Sequence, residues 1–361
     1  MTKSLSVFLD AARFLAAVLV FLDHYSDTRF TAGLLYQLRD LGPPAVDVFF
    51  VLSGFVIAHV TLRPGADARG YALDRAARIL SVTVPALVLT AVLDHIGAGL
   101  RPEVYRAVDF STLSLLHQYA AGLSFLNESW LVGPVWVGSN GPYWSMGYEV
   151  PYYAAFGLAA FGPGWWRVIG PLTVLLLTGP MVAALFPVWL LGVGTYHLSR
   201  RVRLAPLAGL ALAGAVLAGA AAWCAWCLFH HALPGYEPTR AGPLLSKWPD
   251  YIVGIGFAAV LLGVHAAASL LDRHAARLAR PVATAAGITL TLYLTHVPLM
   301  AFLRAVSPWD AASPANQMFV LAGTSAAVVA LAQVGEHRKR AWRQALAALF
   351  VRRPLHQGNV S

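Results

Sequence analysis

Charged side chains are scarce in this chain. Asp, Glu, Lys and Arg together supply only 12% of the 361 residues, whereas hydrophobic side chains supply 58%. A soluble domain is about one quarter charged and about one half apolar, so the composition excludes an ordinary soluble globular protein. The apolar residues fall in long runs, and this pattern predicts a polytopic membrane protein.

Cysteine is almost absent as well. The two cysteines, Cys224 and Cys227, lie inside the apolar run AAWCAWCLF. A CxxC pair suggests redox chemistry in a soluble protein, but within a hydrophobic segment two small side chains are more typical of helix packing. Internal repeats and a separate soluble domain are also absent from the pattern. We therefore predict one transmembrane domain over 1–335 and a basic cytoplasmic tail over 336–361.

The hydrophobic runs predict an all-α, polytopic transmembrane bundle of about ten helices. They occupy roughly 5–25, 44–62, 75–98, 146–162, 166–180, 183–199, 205–230, 249–268, 281–304 and 315–334. About 18 basic residues fall on one side of these segments and about 7 on the other, so both termini are expected in the cytoplasm. This asymmetry, with a tail suited to anionic membrane lipids, accounts for the net charge of +9 without a nucleic-acid partner.

The first segment, LSVFLDAARFLAAVLVFLDHY, carries Asp10, Arg13, Asp23 and His24. Ionisable groups at membrane depth are costly, and they commonly mark function. Arg13 and His24 are separated by about three helical turns, so they share one face about 16 Å apart. The alternative is that Arg13 snorkels to the inner surface and His24 ends the helix among the outer headgroups.

The next two segments add a carboxylate and a pair of arginines. Asp47, in PPAVDVFFVLSGFVIAHV, enters from the outer side near the depth of His24. A carboxylate there is expected to orient the imidazole and raise its basicity, although it would also suit a helix N-terminus. Arg75 and Arg78 lie one turn apart at the inner mouth of the third segment. Two guanidiniums on one face can clamp a phosphate, and the alternative is ordinary positive-inside charge.

Two later segments carry further polar residues at depth. Glu149 follows Trp144 near the start of the fourth segment, in YWSMGYEVPYY. Tyr293 and His296 share a face of the ninth segment, and His296 would stand about 22 Å above Pro281.

These depths predict a polar cavity in the outer half of the membrane. The residues expected to meet there at one level are His24, Asp47, Glu149 and His296. No metal site is predicted, because no tight ligand pair such as HxxxH occurs within a helix.

In this order and at these spacings, the motifs resemble those of the acyltransferase 3 family. Its members are integral membrane O-acyltransferases related to sugar and lipopolysaccharide O-acetylases. The resemblance spans about Leu5 to Met300. It rests on LDAARFLAAVLVFLDH, AVDVFFVLSGFVI, DRAARI, YWSMGYEVPYY and LYLTHVP. One departure is Asp74, which stands where family members often carry a further arginine and weakens the positive field beside Arg75.

The resemblance implies an enzyme of the bacterial inner membrane that transfers acyl groups other than aminoacyl groups. The donor would be acyl-CoA, foremost acetyl-CoA, bound from the cytoplasm. The acceptor would be a hydroxyl of a glycan or glycolipid, such as a polysaccharide or lipopolysaccharide, on the far side or in the outer leaflet. No metal is implied, and a homo-oligomer is left open.

From the residues and the resemblance together we expect the following roles. Arg75 and Arg78 bind the CoA phosphates, and Arg13 lines the path of the pantetheine arm. His24 is either the general base or a nucleophile that forms an acyl-imidazole, and Asp47 orients it. The acceptor side is shaped by Glu149, Tyr293, His296 and Trp144.

Two other classes of protein share parts of this pattern. A transporter of a polar solute or acyl group, with a proton-coupled cavity, also needs ionisable residues at membrane depth. It leaves the paired cytoplasmic arginines unexplained. A lipid-binding scaffold leaves the buried histidine and aspartate unexplained.

Overall fold

The computed structural model describes residues 1–230 and 247–350, and the regular secondary structure in these ranges is entirely helical. The first seven helices are α1 (Lys3–Tyr25), α2 (Thr28–Thr31), α3 (Gly42–Thr61), α4 (Ala68–Leu100), α5 (Thr112–Leu123), α6 (Met146–Phe161) and α7 (Trp166–Thr178). The remaining described helices are α8 (Pro180–Arg201), α9 (Pro206–His230), α10 (Trp248–Ala266), α11 (Ala268–Ala286), α12 (Thr289–Val306), α13 (Pro314–Val334) and α14 (Lys339–Phe350). The predicted all-α fold is confirmed. The packing predicted for the cysteine pair involves the side chain of Cys227, which lies outside the described residues.

Eight helical stretches in the described ranges are long and apolar enough to cross a membrane. They are Lys3–Tyr25, Gly42–Thr61, Ala68–Leu100, Pro180–Arg201, Pro206–Trp226, Trp248–Ala266, Ala268–Val306 and Pro314–Leu349. Two of the predicted spans fall short, because α6 has 16 residues and α7 has 13, against the roughly 20 that a spanning helix needs. The helical membrane bundle is confirmed, whereas the count of ten and the cytoplasmic position of both termini stay predictions.

The ninth predicted segment begins later than the sequence indicated. Residues 268–286 form a helix of their own, α11, which packs along α1 through Ala268, Ala275 and Ala286 and exposes its arginines on the other side. The chain breaks at Gly287, and α12 starts at Thr289. His296 lies about 10 Å along α12 from Thr289, and the 22 Å predicted from Pro281 includes the break at Gly287. Together α11 and α12 form one of the eight apolar stretches, Ala268–Val306.

The closest helix packing in the centre joins α3 to α8 through glycine. A Cβ added at Gly54 would collide with the carbonyl oxygen of Trp189, and one added at Gly192 would collide with that of Val51. Small residues let two helix backbones approach in this way. The approach brings the indole Nε1 of Trp189 to 3.2 Å from Ser53 Oγ, to which it donates a hydrogen bond. Ser53 and Gly54 of α3 therefore lie at the contact with α8, which forms one wall of the interior.

The long connection between the end of α4 at Leu100 and the start of α6 at Met146, called the outer loop below, folds back into the protein between α4 and α12. Asp94 on α4 accepts hydrogen bonds from Ser139, at 2.6 Å from the backbone N–H and 2.5 Å from Oγ. The amide of Asn140 donates to the carbonyl oxygen of Leu294 at 2.8 Å. Val137 and Asn140 are each only 1% exposed, so this part of the loop is core rather than surface.

Candidate active site

A cavity of about 140 Å³ runs along α3 in the centre of the bundle. Its lining on α3 extends from Val46 to Ile57, which corresponds to about 16 Å of helix length. The opposite walls come from α1, α4, α6 and α12. A channel of this length can accept an extended chain that enters at one end and reacts at the other.

Three arginines that are distant in sequence line this cavity together: Arg13, Arg75 and Arg78. Arg13 forms an ion pair with Asp10, with 3.2 Å between Nη1 and Oδ1. Neither Arg75 nor Arg78 has a carboxylate oxygen within 4.0 Å in the described part of the chain. The Arg75 guanidinium instead lies 5.9 Å from the ring centre of Tyr153, and its buried Nε has no hydrogen-bond partner there. Buried cations without paired anions favour an anionic ligand.

Glu149 lies in the same cavity, where it belongs to a hydrogen-bonded chain. Its Oε1 accepts hydrogen bonds from the Tyr153 hydroxyl and, at 3.1 Å, from Ser53 Oγ. Ser53 in turn accepts from Trp189. Glu149 is thus held on the arginine side, and the prediction that it meets the two histidines at one level is wrong. Trp144 packs edge-on against Tyr148, with ring centroids 5.1 Å apart, and is not among the cavity-lining side chains.

The two histidines meet above the cavity. The rings of His24 and His296 lie edge to face with centroids 5.1 Å apart. In each ring Nδ1 lies 2.9 Å from a backbone carbonyl oxygen four residues earlier, at Val20 and Leu292. A carbonyl only accepts hydrogen bonds, so Nδ1 carries the proton in both rings and a neutral ring presents the lone pair of Nε2. That is the tautomer a general base or nucleophile requires.

The two rings differ in access. The side chain of His24 is 30% exposed, in the last turn of α1, whereas His296 is fully buried. The Nε2 atom of His296 has no hydrogen-bond partner among the described residues. His24 is therefore the ring that an acceptor can reach, and His296 supports it from within.

The carboxylate beside His24 is Asp23, which the sequence analysis did not assign to this position. Asp23 Oδ2 lies 3.6 Å from His24 Nδ1, and Asp23 Oδ1 accepts a hydrogen bond of 2.6 Å from the backbone N–H of Asp40. The side chain also lies against Gly42 at the start of α3. Asp23 therefore contacts both His24 and the N-terminus of α3. The sequence signal for this contact was that Asp23 directly precedes His24 in FLDHY.

The predicted pairing of Asp47 with His24 is wrong, because no hydrogen bond or ion pair joins them in the described ranges. Gly42 is level with Asp23, and Asp47 follows five residues later, about 7.5 Å deeper and about 140° around the helix. Asp47 is 1% exposed and faces Asp250 near the start of α10, with Lys247 as the neighbouring cation. Depth alone had suggested the pair, but rotation about α3 turns Asp47 towards another helix.

Tyr293 and Phe49 separate the cavity from the histidine pair. Both line the cavity, and their rings lie edge to face with centroids 5.6 Å apart. The Tyr293 ring is 6.5 Å from that of His296, and its buried hydroxyl has no hydrogen-bond partner among the described residues. A ligand that extends from the arginines to His24 therefore passes Tyr293, which has an unused hydroxyl to offer it.

Pro298 removes one backbone hydrogen bond from the helix that carries His296. Pro298 has no N–H, so the carbonyl of Leu294 lacks its usual donor four residues later. Asn140 from the outer loop supplies that donor at 2.8 Å, and it also donates to Thr90 on α4 at 3.2 Å. The loop therefore satisfies the backbone that flanks His296.

Within the described ranges, no group of three or more His, Cys, Asp or Glu side chains is arranged to hold a metal ion.

The fold and this interior define a polytopic helical membrane protein with a cationic cavity that leads to a histidine pair. Residues 6–333 match the family model described as an acyltransferase domain, so the chain belongs to the acyltransferase 3 family. It is also 32% identical over 146 residues to the exopolysaccharide production protein ExoZ of Rhizobium meliloti. That alignment covers 40% of this chain and 43% of the relative, less than half the relative's length. No solved structure matches the chain.

Proposed function

We propose that this protein transfers an acyl group, foremost acetyl, from cytoplasmic acyl-CoA to a hydroxyl of a glycan or glycolipid on the other side of the membrane. One observation carries the proposal. Arg75 and Arg78 line a cavity that extends about 16 Å along α3 towards His24, and neither has a carboxylate oxygen within 4.0 Å among the described residues. A donor with phosphates at one end and a thioester at the other fits that arrangement.

The arginines account for the binding of the donor. Guanidinium–phosphate contacts are charge-assisted and often bidentate, and burial strengthens them. The pantetheine arm is an extended rod of about half the roughly 30 Å hydrocarbon core. With its phosphates at Arg75 and Arg78, the arm passes Arg13 and Tyr293 and brings the thioester close to the histidines.

His24 acts on the reacting groups through Nε2. As a general base it takes the proton of the acceptor hydroxyl while that oxygen attacks the thioester carbonyl. The C–S bond then breaks, and the CoA thiolate takes the proton from the imidazolium. In the relay alternative, Nε2 attacks the thioester carbonyl, the C–S bond breaks with release of the CoA thiolate, and an acyl-imidazole forms. The acceptor hydroxyl then attacks the acyl carbon, the C–N bond breaks, and the hydroxyl proton passes to the thiolate. Asp23 stabilises the positive ring in either route.

The acceptor reaches His24 from the outer side, where the ring is 30% exposed. The relative's name concerns exopolysaccharide production, so we propose a polysaccharide or its lipid-linked precursor as the acceptor class. A multi-pass protein of the bacterial inner membrane would have both substrates in the appropriate compartments.

The proposal is tested by incubating the purified full-length protein with acetyl-CoA and following the release of free thiol. We expect release that increases when glycan acceptor is added and that is lost in His24→Ala, by about 10²–10⁴-fold. Binding of acetyl-CoA by that variant should be unchanged. Thiol release by His24→Ala at the wild-type rate would refute the assignment. Absence of release from the wild type, with solute movement in vesicles, would favour a transporter.

A further inference from the structure

The cavity is too small to enclose a whole coenzyme A. Pockets that bury a drug-sized ligand hold about 300–1,000 Å³, whereas this cavity has about 140 Å³. If the acyl arm occupies it and Arg75 and Arg78 bind phosphates within it, the nucleotide end lies outside. The residues that surround the mouth then decide how that end is bound.

The C-terminal helix α14 packs on α4, the helix that carries both arginines. Trp342, Leu346 and Ala347 are half-buried in this contact, at helical spacings of four and one. On the same side, Arg343 Nε donates a hydrogen bond of 2.5 Å to Asp74 Oδ1. Asp74 directly precedes Arg75, so this bond fixes α14 beside the mouth.

The ion pair also changes the electrostatics of the mouth. Asp74 alone would repel phosphate next to Arg75, and it stands where the family often has a further arginine. Arg343 neutralises that carboxylate from another part of the chain. The pair has no net charge, so the tail cancels the repulsion that Asp74 alone would exert on a phosphate beside Arg75.

The first turn of α14 carries a further cation, Lys339, near the mouth of the cavity. Lys339 interacts electrostatically with Arg78, Arg13 and Glu336, which places its ammonium near the buried arginines. Glu336 is already occupied, because its Oε2 accepts hydrogen bonds from the backbone N–H and the hydroxyl of Thr291 at 3.2 and 3.3 Å. Lys339 is exposed and has no ion pair among the described residues. It remains available to an incoming anion.

We propose that α14 forms the outer part of the donor site, where Lys339 and Arg343 bind the phosphates of the nucleotide end of acyl-CoA, above all the 3′-phosphate. This inference rests on the proposed use of acyl-CoA. Anionic lipid headgroups offer the same phosphate chemistry, but a helix bound to lipid needs its cations on a free face. Here Arg343 is bonded to Asp74 and Lys339 is near Arg78, both beside the cavity.

The test compares two soluble probes, CoA and 3′-dephospho-CoA, for binding to the full-length protein in detergent. We expect the wild type to bind CoA about five- to tenfold more tightly than the dephospho form, at about 1.4 kcal/mol per tenfold change. Lys339→Gln/Arg343→Gln should weaken CoA binding by the same factor and remove the difference between the probes. Arg273→Gln/Arg277→Gln, exposed cations on α11, is the matched control and should leave both affinities unchanged.

The outcomes separate the two proposals. If the wild type binds neither probe, acyl-CoA is not the donor and the proposed function fails. If it binds CoA but the α14 variant binds both probes like the wild type, the tail inference alone is overturned. Weaker binding of short-chain phosphatidylglycerol by that variant in detergent, with unchanged CoA affinity, would assign the cations to lipid instead. Arg343→Lys/Lys339→Arg should retain the preference for CoA and shows that a folding defect is not the cause.

Discussion

His24 and His296 lie edge to face with their ring centroids 5.1 Å apart, and each ring donates from Nδ1 to a carbonyl of its own helix. The two Nε2 atoms are therefore left as acceptors, and Tyr293 lies between this pair and the cavity lined by arginines. In a neutral ring this pairing leaves Nε2 unprotonated, which is the tautomer that the proposed function requires of His24. The groups that hold the two rings in place can be tested by substitution.

We predict that Asp23→Asn lowers the turnover rate by about tenfold or more. The asparagine oxygen can still accept from the Asp40 N–H, but the charge that stabilises a positive His24 ring is lost. The Michaelis constant for acetyl-CoA should change little, because the donor arginines lie elsewhere. Steady-state kinetics on the variant decide the matter. An unchanged turnover rate, or a loss confined to donor binding, would contradict the proposal that Asp23 stabilises a positive His24 ring.

The second prediction concerns the loop that supports His296. Asn140→Leu leaves the Leu294 carbonyl without a donor beside Pro298, which should destabilise the protein by about 1–3 kcal/mol. It should also lower the turnover rate, because the freed backbone flanks His296. Melting temperature and turnover are measured together.

The matched control for that variant is Asn316→Leu. Asn316 is equally buried and donates to the Phe30 carbonyl at 2.8 Å, and not to the helix of either histidine. We expect a similar fall in melting temperature with little change in turnover per folded molecule. Equal losses of turnover in both variants would show that Asn140 acts only through global stability.

A third prediction uses Glu128, which lies in the outer loop against Gly147. Burial raises the pKa of this carboxyl from 4.5 to about 7, and Lys247 partly opposes the shift. The folded protein thus holds the proton more tightly than the unfolded chain, so stability is lost as pH rises from about 4.5 through about 7. Glu128→Gln stays neutral. The variant should gain about 2–4 °C in melting temperature relative to wild type between pH 5 and pH 8.

Melting curves across that pH range give the result directly. Glu103→Gln, which alters an exposed carboxyl of a neighbouring segment, serves as the control and should shift little with pH. A difference between Glu128→Gln and wild type that stays constant with pH would show that Glu128 ionises normally.

The sequence predicted the helical membrane fold and the arginine helix, because both depend on local patterns. Long apolar runs define spans, and Arg75 and Arg78 share a face through helical spacing alone. The family was also recognisable, since its motifs are short and ordered along the chain. These features need no knowledge of how helices turn against one another.

What the sequence did not predict depends on rotation and packing. Asp47 was assigned the right region but the wrong partner, because depth in a helix does not specify the direction of a side chain. For the same reason, the sequence did not predict that Glu149 lies on the arginine side of the cavity, apart from the histidines. Asn140 reaches Leu294 from a distant loop, and its importance follows from Pro298 only once the two segments are known to touch. Asp23 was overlooked because the neighbour in sequence was judged less informative than a distant carboxylate.

The most direct test of the central claim is the binding of a non-hydrolysable acetyl-CoA analogue to wild type and to Arg75→Ala/Arg78→Ala. Charge-assisted contacts to phosphate contribute about 1.5–3 kcal/mol each, so the double variant should raise the dissociation constant by about tenfold or more. Arg63→Ala/Arg69→Ala, two exposed arginines near the same end of α4, should bind like the wild type. Equal affinity of wild type and Arg75→Ala/Arg78→Ala would contradict the account, because the cavity would then not be the donor site.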